Sequence, residues 1–178
     1  MNNIHKKVEL LSNIAIIVVA ILLGGVLVNR YFRPASPTAE AAKDVGIKPG
    51  TKLSVPGMAL DKADRTLMLV LSTNCRYCSE SAAFYQKLTQ EKGARQDVRL
   101  VAVLPQPVSE SQKYLSEHGI TVDEIGQAAP ANVQVKGTPT LIMVDRTGSA
   151  IESWVGKLPQ EKEVEVLNRF LLGERASN

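Results

Sequence analysis

From about residue 50 onward, apolar and polar positions in this chain follow two periods in turn, and a single apolar block stands ahead of them. Thr66 to Leu71, TLMLVL, is a short continuous apolar run, the pattern of a strand covered on both faces. Ser79 to Gln90 then places Ala82, Tyr85, Leu88 and Thr89 near one face of a helix that Gly93 ends. Asp97 to Leu104, DVRLVAVL, reads as a second buried strand, and Ser109 to His118 as a helix stopped by Gly119. Thr140 to Val144 is a third strand, Asp145-Arg-Thr-Gly148 a hairpin turn, and Ala150 to Val155 the return strand. Pro159 to Leu172 closes the pattern as a helix, with Pro159 suited to its first turn. Strand, helix, strand, helix, hairpin and helix predict an α/β fold, a three-layer sandwich around a central mixed sheet.

The apolar block is different in kind. Ile14 to Val28 is 15 apolar residues in a row, and reaching back to Leu10 across Ser12 and Asn13 makes 19. That approaches the roughly 20 residues a helix needs to cross a bilayer. Tyr31 and Phe32 follow as interfacial aromatics, with Arg30 and Arg33 at headgroup level. A cleaved signal peptide is the competing reading: Lys6 and Lys7 suit it, but the small-residue site Ala39-Glu-Ala41 lies far beyond the apolar run. A core helix would need a polar face, and none is present. The expected organisation is therefore a short tail at 1–9, a transmembrane signal-anchor helix at 10–33, a Pro- and Ala-rich linker at 34–50 and one folded domain at 51–178. The flanking positive charges are tied, so orientation rests on analogy: a short tail before one span commonly stays in the cytoplasm. On that analogy the domain lies on the extracytoplasmic, periplasmic side of the inner membrane, where disulfides persist.

Charge adds one exclusion. The chain carries +3, but from Val45 onward 16 Lys and Arg face 15 Asp and Glu. The domain has no basic stripe to bind nucleic acid.

The candidate chemistry sits in STNCRYCSE, which holds the only two cysteines, Cys75 and Cys78. Zinc needs four ligands, and the only histidines are His5 in the tail and His118 at a helix end. Attachment of c-type haem needs His after the second cysteine, where Ser79 stands. A disulfide across so short a loop is a poor staple. Two inert buried thiols are the bland alternative. The redox reading has positive support. Cys75 falls where a buried strand ends and a helix begins, and unpaired N–H groups there favour a thiolate, the attacking species in disulfide exchange. Cys78, one turn on, is within reach to resolve a mixed disulfide. Arg76 and Tyr77 between them either tune the site or are simply exposed.

TLMLVLSTNCRYC, followed by VKGTPTLIMVDRTG, a hairpin and a terminal helix, resembles the thioredoxin superfamily from about Gly50 to Leu172. The segment KPGTKLSVPGMAL, and a helix plus Ala129 to Val135 ahead of Gly137-Thr-Pro139, resemble its membrane-anchored TlpA-like branch of thiol–disulfide oxidoreductases. The resemblance implies that Pro139 is a cis proline opposite the cysteines and that Thr138 presents backbone to a bound substrate strand. From the sequence alone Pro139 could equally be a trans turn. Two positions depart from the pattern. Many relatives carry Trp where Asn74 stands, and thioredoxin itself carries a buried Asp where this chain has Leu69. Glu80 is expected at the surface, and Trp154 in packing.

The function expected on these grounds is an anchored thiol–disulfide oxidoreductase, a protein-disulfide reductase in type. Cys75 attacks, Cys78 resolves, Thr138 and Pro139 form the substrate edge, and Asn74, Arg76 and Tyr77 tune the site. No cofactor or metal is expected beyond the redox-active Cys75–Cys78 pair. The expected partners are protein thiols or disulfides and a redox protein, either free or membrane-embedded, since no second cysteine pair exists to relay electrons. Two other functions compete. A thiol peroxidase would need Thr and Pro where Ser72 and Met68 stand. A copper-binding or assembly module would use the soft thiolates, with His118 as the one histidine that tertiary structure could bring near.

Overall fold

The computed structural model describes residues 16–19 and 46–173, and the chain divides into two units, Met1–Thr38 and Ala39–Asn178. In the first unit residues 16–19 are helical. The rest of the span expected at 10–33 lies outside the described residues, and among those described no helix is long and apolar enough to cross a membrane.

The second unit is built on a five-stranded mixed sheet. Its elements are β1 (Arg65–Val70), the short helix α1 (Arg76–Glu80), α2 (Ala82–Lys92), β2 (Val98–Leu104), α3 (Val108–Glu117), β3 (Glu124–Gln127), a 3₁₀ turn (Pro130–Val133), β4 (Thr140–Asp145), β5 (Ala150–Val155) and α4 (Gln160–Leu172). The strand order is β3-β2-β1-β4-β5. β1 pairs parallel with β2 and β2 with β3, whereas β4 runs antiparallel to both β1 and β5.

Period-two geometry explains why the central strands read as unbroken apolar runs. Leu67, Leu69 and Leu71 face one core with Leu100, Ala102, Leu104, Leu141 and Met143. Met68 and Val70 face the other with Val101, Val103, Ile142 and Val144. Each fully buried side chain of this size stabilises the fold by about 1.5–3 kcal/mol relative to exposure, so both faces must be covered.

They are covered differently. Phe84, Tyr85 and Leu88 of α2, Tyr114 and Leu115 of α3, and Val166, Leu167 and Phe170 of α4 all pack on the first core. The second is closed by Ile47, Leu53, Val55, Met58 and Leu60 of a leading strap and by Val133 and Val135 at the 3₁₀ turn. The expected three-layer sandwich is thus helical on one side only. Successive right-handed crossovers that always step outward, from β1 to β2 to β3, put α2 and α3 on the same face. The strap, interrupted by Pro56 and Gly57, covers the other without forming a helix.

Other departures are local. β3 was not anticipated, because EIGQ is short and half polar. The helix expected from Ser79 starts at Arg76 and breaks at Ser81. Pro159 caps α4 from outside its first turn. Ile47, inside the stretch expected as linker, is buried, and its N–H donates to Ser153 Oγ at 2.7 Å. Trp154 is buried in the first core.

Candidate functional site

The site forms where β1 runs out. Leu71 N–H still donates to Val103 O (2.9 Å), after which Ser72–Asn74 turn and Cys75 N–H donates to Ser72 O (3.1 Å). That turn is braced from the β2–α3 loop and the first turn of α3. Gln106 donates to Ser72 Oγ (3.2 Å) and accepts from Thr73 N–H (3.4 Å), and Thr73 Oγ1 donates to Glu110 (3.2 Å). Gln106 and Glu110 carried no signal in the sequence, since only the parallel pairing of β1 with β2 brings them there.

Cys75 is the N-cap of α1, with extended backbone (φ −94°, ψ 109°). Its sulfur accepts from Cys78 N–H at 3.2 Å, the bond a serine or aspartate oxygen makes at this position in other helices. Cys75 is half-buried and Cys78 fully buried, and both are free thiols. On the other side Cys75 Sγ donates to Thr138 O at 3.3 Å. The Thr138–Pro139 peptide is cis. Gly156 N–H donates to Pro139 O (2.8 Å) and Thr140 Oγ1 to Gly137 O (2.8 Å), which ties this loop to the strands it joins.

The two thiols are made unequal. Burial alone pushes the Cys75 thiol up, but hydrogen bonds from the Cys78 and Thr138 side chains and the Cys78 and Tyr77 backbone outweigh it and hold it below its ordinary value. The Thr138 carbonyl acts in the opposite sense, because it can accept only from the protonated thiol. Burial, with the charge of Cys75 added, pushes the Cys78 thiol up to about 12. A half-buried thiol poised to ionise therefore stands in front of a buried one that holds its proton.

The residues expected to tune the site are divided. Asn74 and Tyr77 are exposed beside Cys75. Arg76 pairs with Glu80 at 2.7 Å, and Glu80 also takes Lys157 at 3.0 Å, so the guanidinium answers a carboxylate rather than the sulfur. Glu80 is at the surface. His118 is held by Tyr114: its ring lies 4.3 Å from that of Tyr114, with Nδ1 2.9 Å from Tyr114 O. Among the described residues no three His, Cys, Asp or Glu side chains converge as metal ligands would. Ser79 Oγ and Tyr114 OH meet at 3.3 Å and join α1 to α3.

A family model described as a thioredoxin-like domain matches residues 57–171. No curated protein matches the chain. Among solved structures, a thiol:disulfide interchange protein DsbE from Chlorobium tepidum is similar with a TM-score of 0.54 and 21% identity, over 71% of this chain and 97% of that one. A thiol–disulfide isomerase from Corynebacterium glutamicum gives 0.53 and 17%, over 70% and 96%. A thioredoxin-family thiol:disulfide interchange protein from Chlorobium tepidum gives 0.53 and 16%, over 70% and 98%. At these identities the likeness is one of fold.

Proposed function

The chain belongs to the thioredoxin-like family, and from that premise we propose that it is a membrane-anchored thiol–disulfide oxidoreductase working as a reductant outside the cytoplasm. One observation carries the reading: Cys75 caps a helix with its sulfur at 3.2 Å from Cys78 N–H and 3.3 Å from the Thr138 carbonyl, while Cys78 is buried behind it.

In the reaction, the Cys75 thiolate attacks one sulfur of a substrate disulfide, and the far substrate sulfur leaves with the bonding electron pair and takes up a proton. Backbone of the substrate strand lies along Thr138 and Pro139. Cys78 then loses its proton and attacks Cys75 Sγ. The Cys75–substrate bond breaks, the second substrate sulfur leaves as a thiol, and a Cys75–Cys78 disulfide remains. The substrate has gained two electrons and two protons. A partner dithiol, on a redox protein in or at the membrane, returns them by the same exchange run backwards. No cofactor enters.

The apolar block at 10–33 supports the anchor, and carbonate-resistant membrane association lost on deleting that block is its test. Equilibration of the purified protein against glutathione or dithiothreitol tests the chemistry. A potential near roughly −270 mV marks a reductant and one near roughly −120 mV an oxidant. If no Cys75–Cys78 disulfide forms at any poise, the reading fails and metal binding by the pair takes its place.

A further inference from the structure

The two walls of the site are fastened differently. The Thr138 wall is tied into the sheet, through Gly156 N–H to Pro139 O and Thr140 Oγ1 to Gly137 O. The cysteine wall is the turn Ser72–Cys75, closed by a backbone bond from Cys75 N–H to Ser72 O (3.1 Å). A side chain from the neighbouring β2–α3 loop grips that turn at two adjacent residues. Gln106 Oε1 accepts from Thr73 N–H (3.4 Å). A backbone N–H can only donate, so the amide oxygen must face it, and the amide nitrogen is left to donate to Ser72 Oγ (3.2 Å). Gln106 is itself well anchored. Its own carbonyl takes the hydroxyl of Ser111 (3.3 Å), a fully buried residue of α3, and it stands between Pro105 and Pro107, whose rings fix the backbone on either side.

We propose that Gln106 is a positioning residue for the cysteine pair: its amide sets the Ser72–Cys75 turn, and through it the place of the Cys75 sulfur against Cys78 N–H. The inference rests on the oxidoreductase reading above and names what holds its nucleophile in register. The path is a run of direct contacts. Gln106 holds Ser72, Ser72 O holds Cys75 N–H, and Cys75 Sγ accepts from Cys78 N–H at 3.2 Å. The Ser72 backbone also bonds to the buried Cys78 sulfur and eases its ionisation, so one turn serves both thiols. An uncharged amide suits this place. A carboxylate would grip the turn as well, but would set a negative charge beside sulfurs that must ionise. The charged groups nearby are engaged with one another or with the turn: Arg76 and Lys157 answer Glu80, and Glu110 accepts from Thr73 Oγ1. In the exchange itself the amide gains and loses nothing. Cys75 attacks, the substrate sulfur leaves with its electron pair and a proton, and Gln106 only keeps the attacking sulfur in place.

The test compares variants of the full chain. Gln106→Met keeps the length of the side chain and removes both bonds. Its Cys75 alkylates roughly threefold more slowly at neutral pH, the low end of what one hydrogen bond is worth, and the pH profile of alkylation moves up. At about pH 9, where Cys75 is mostly ionised, the reduced form is less stabilised, and the reduction potential falls by about 14 mV for that factor. Ser72→Ala removes one of the two bonds and shifts both readouts the same way by less. The double variant shows less than the sum, because the two residues act through one contact. Gly126→Ala, which crowds the strap on the opposite face of the sheet, lowers stability without moving profile or potential. Should Gln106→Met fail to fold, Ser72→Ala decides by the same readouts. Unchanged profile and potential, or an equal shift in Gly126→Ala, overturn the inference while leaving the oxidoreductase intact. If the unaltered chain forms no Cys75–Cys78 disulfide at any poise, the oxidoreductase reading itself fails, and the two failures are told apart.

Discussion

The Cys75 sulfur lies 3.3 Å from the carbonyl oxygen of Thr138, 63 residues further along the chain. A carbonyl there holds a thiol and repels a thiolate. Ionisation of Cys75 therefore breaks the contact and leaves Thr138 O free to accept; on the proposed reading an arriving substrate strand supplies that donor.

The inequality of the two thiols predicts selective labelling. Iodoacetamide at neutral pH modifies Cys75, with half-maximal rate below the pH of about 8.5 at which a free thiol titrates. A Cys75→Ser variant, whose remaining thiol is Cys78, reacts at least roughly a hundredfold more slowly because only thiolate attacks. Mass spectrometry of the labelled protein reads both. Equal rates at the two cysteines would remove the assignment of nucleophile and resolver.

The Thr138 side chain is among the groups that hold Cys75 down. Thr138→Val keeps the volume and β-branching but loses the hydroxyl. Its Cys75 should alkylate a few-fold more slowly at neutral pH, because less of it stands as thiolate. Because the backbone carbonyl stays in place, the fall in rate reports the hydroxyl alone. A rate equal to that of the unaltered protein would assign the lowered value to the Cys78 and Tyr77 contacts only.

How much of this was legible beforehand follows from the range of each interaction. Cys75 and Cys78 announce themselves, because a dithiol at a strand-to-helix junction is a local pattern, and Gly137-Thr-Pro139 is a second local pattern. The covered strands were readable for the same reason: Leu67 to Val70 and Leu141 to Val144 are apolar without a gap. β3 was not, since EIGQ has too few apolar positions to show a period, and it becomes a strand only by pairing with β2. The brace from Gln106 and Glu110 depends on the parallel pairing of β1 with β2. Tyr85 could be placed on a packed helix face, but only the fold shows that its hydroxyl is stranded there. Apart from residues 16–19, the anchor expected at 10–33 falls outside the described residues.

Two glycines separate packing from function. A Cβ on Gly126 would lie 2.8 Å from Val55 Cγ1 and 3.0 Å from Met58 Cε, where the strap crosses β3. Gly126→Ala must push the strap outward and should cost about 1–3 kcal/mol, as overpacking does. A Cβ on Gly137 meets nothing within 4 Å, and its φ lies outside the left-handed region. Gly137→Ala should leave stability within about 0.5 kcal/mol, and alkylation of Cys75 with it, while slowing reduction of a protein disulfide that must lie along Thr138. Urea midpoints and a two-substrate rate comparison check the pair. Similar destabilisation by both substitutions would contradict the strap packing.

The raised Cys78 thiol makes the reduced protein lose stability in alkali. Its folded value of about 12 stands above the roughly 8.5 of an unfolded thiol. Its contribution is thus complete below the unfolded value and is lost as pH rises toward the folded one. Between about pH 9 and pH 11 the loss is about 1.4 kcal/mol per unit, one proton's worth of linkage. Cys75 is shifted the other way. Its contribution is in place above the unfolded value and fades only as pH falls through the folded one, so it adds no alkaline slope. Burial raises Tyr85 and Tyr114 as well, and since that burial is common to a Cys78→Ser variant it drops out of the comparison, leaving only what the Cys78 charge adds. Urea unfolding of reduced wild type and of Cys78→Ser should therefore give stabilities whose difference moves against the wild type as pH rises. The oxidised protein, with neither thiol free, should lack this slope too. A wild-type advantage that stays constant from neutral pH into alkali would mean that Cys78 is not held protonated by the fold, and the division of labour between the two thiols would lose its physical basis.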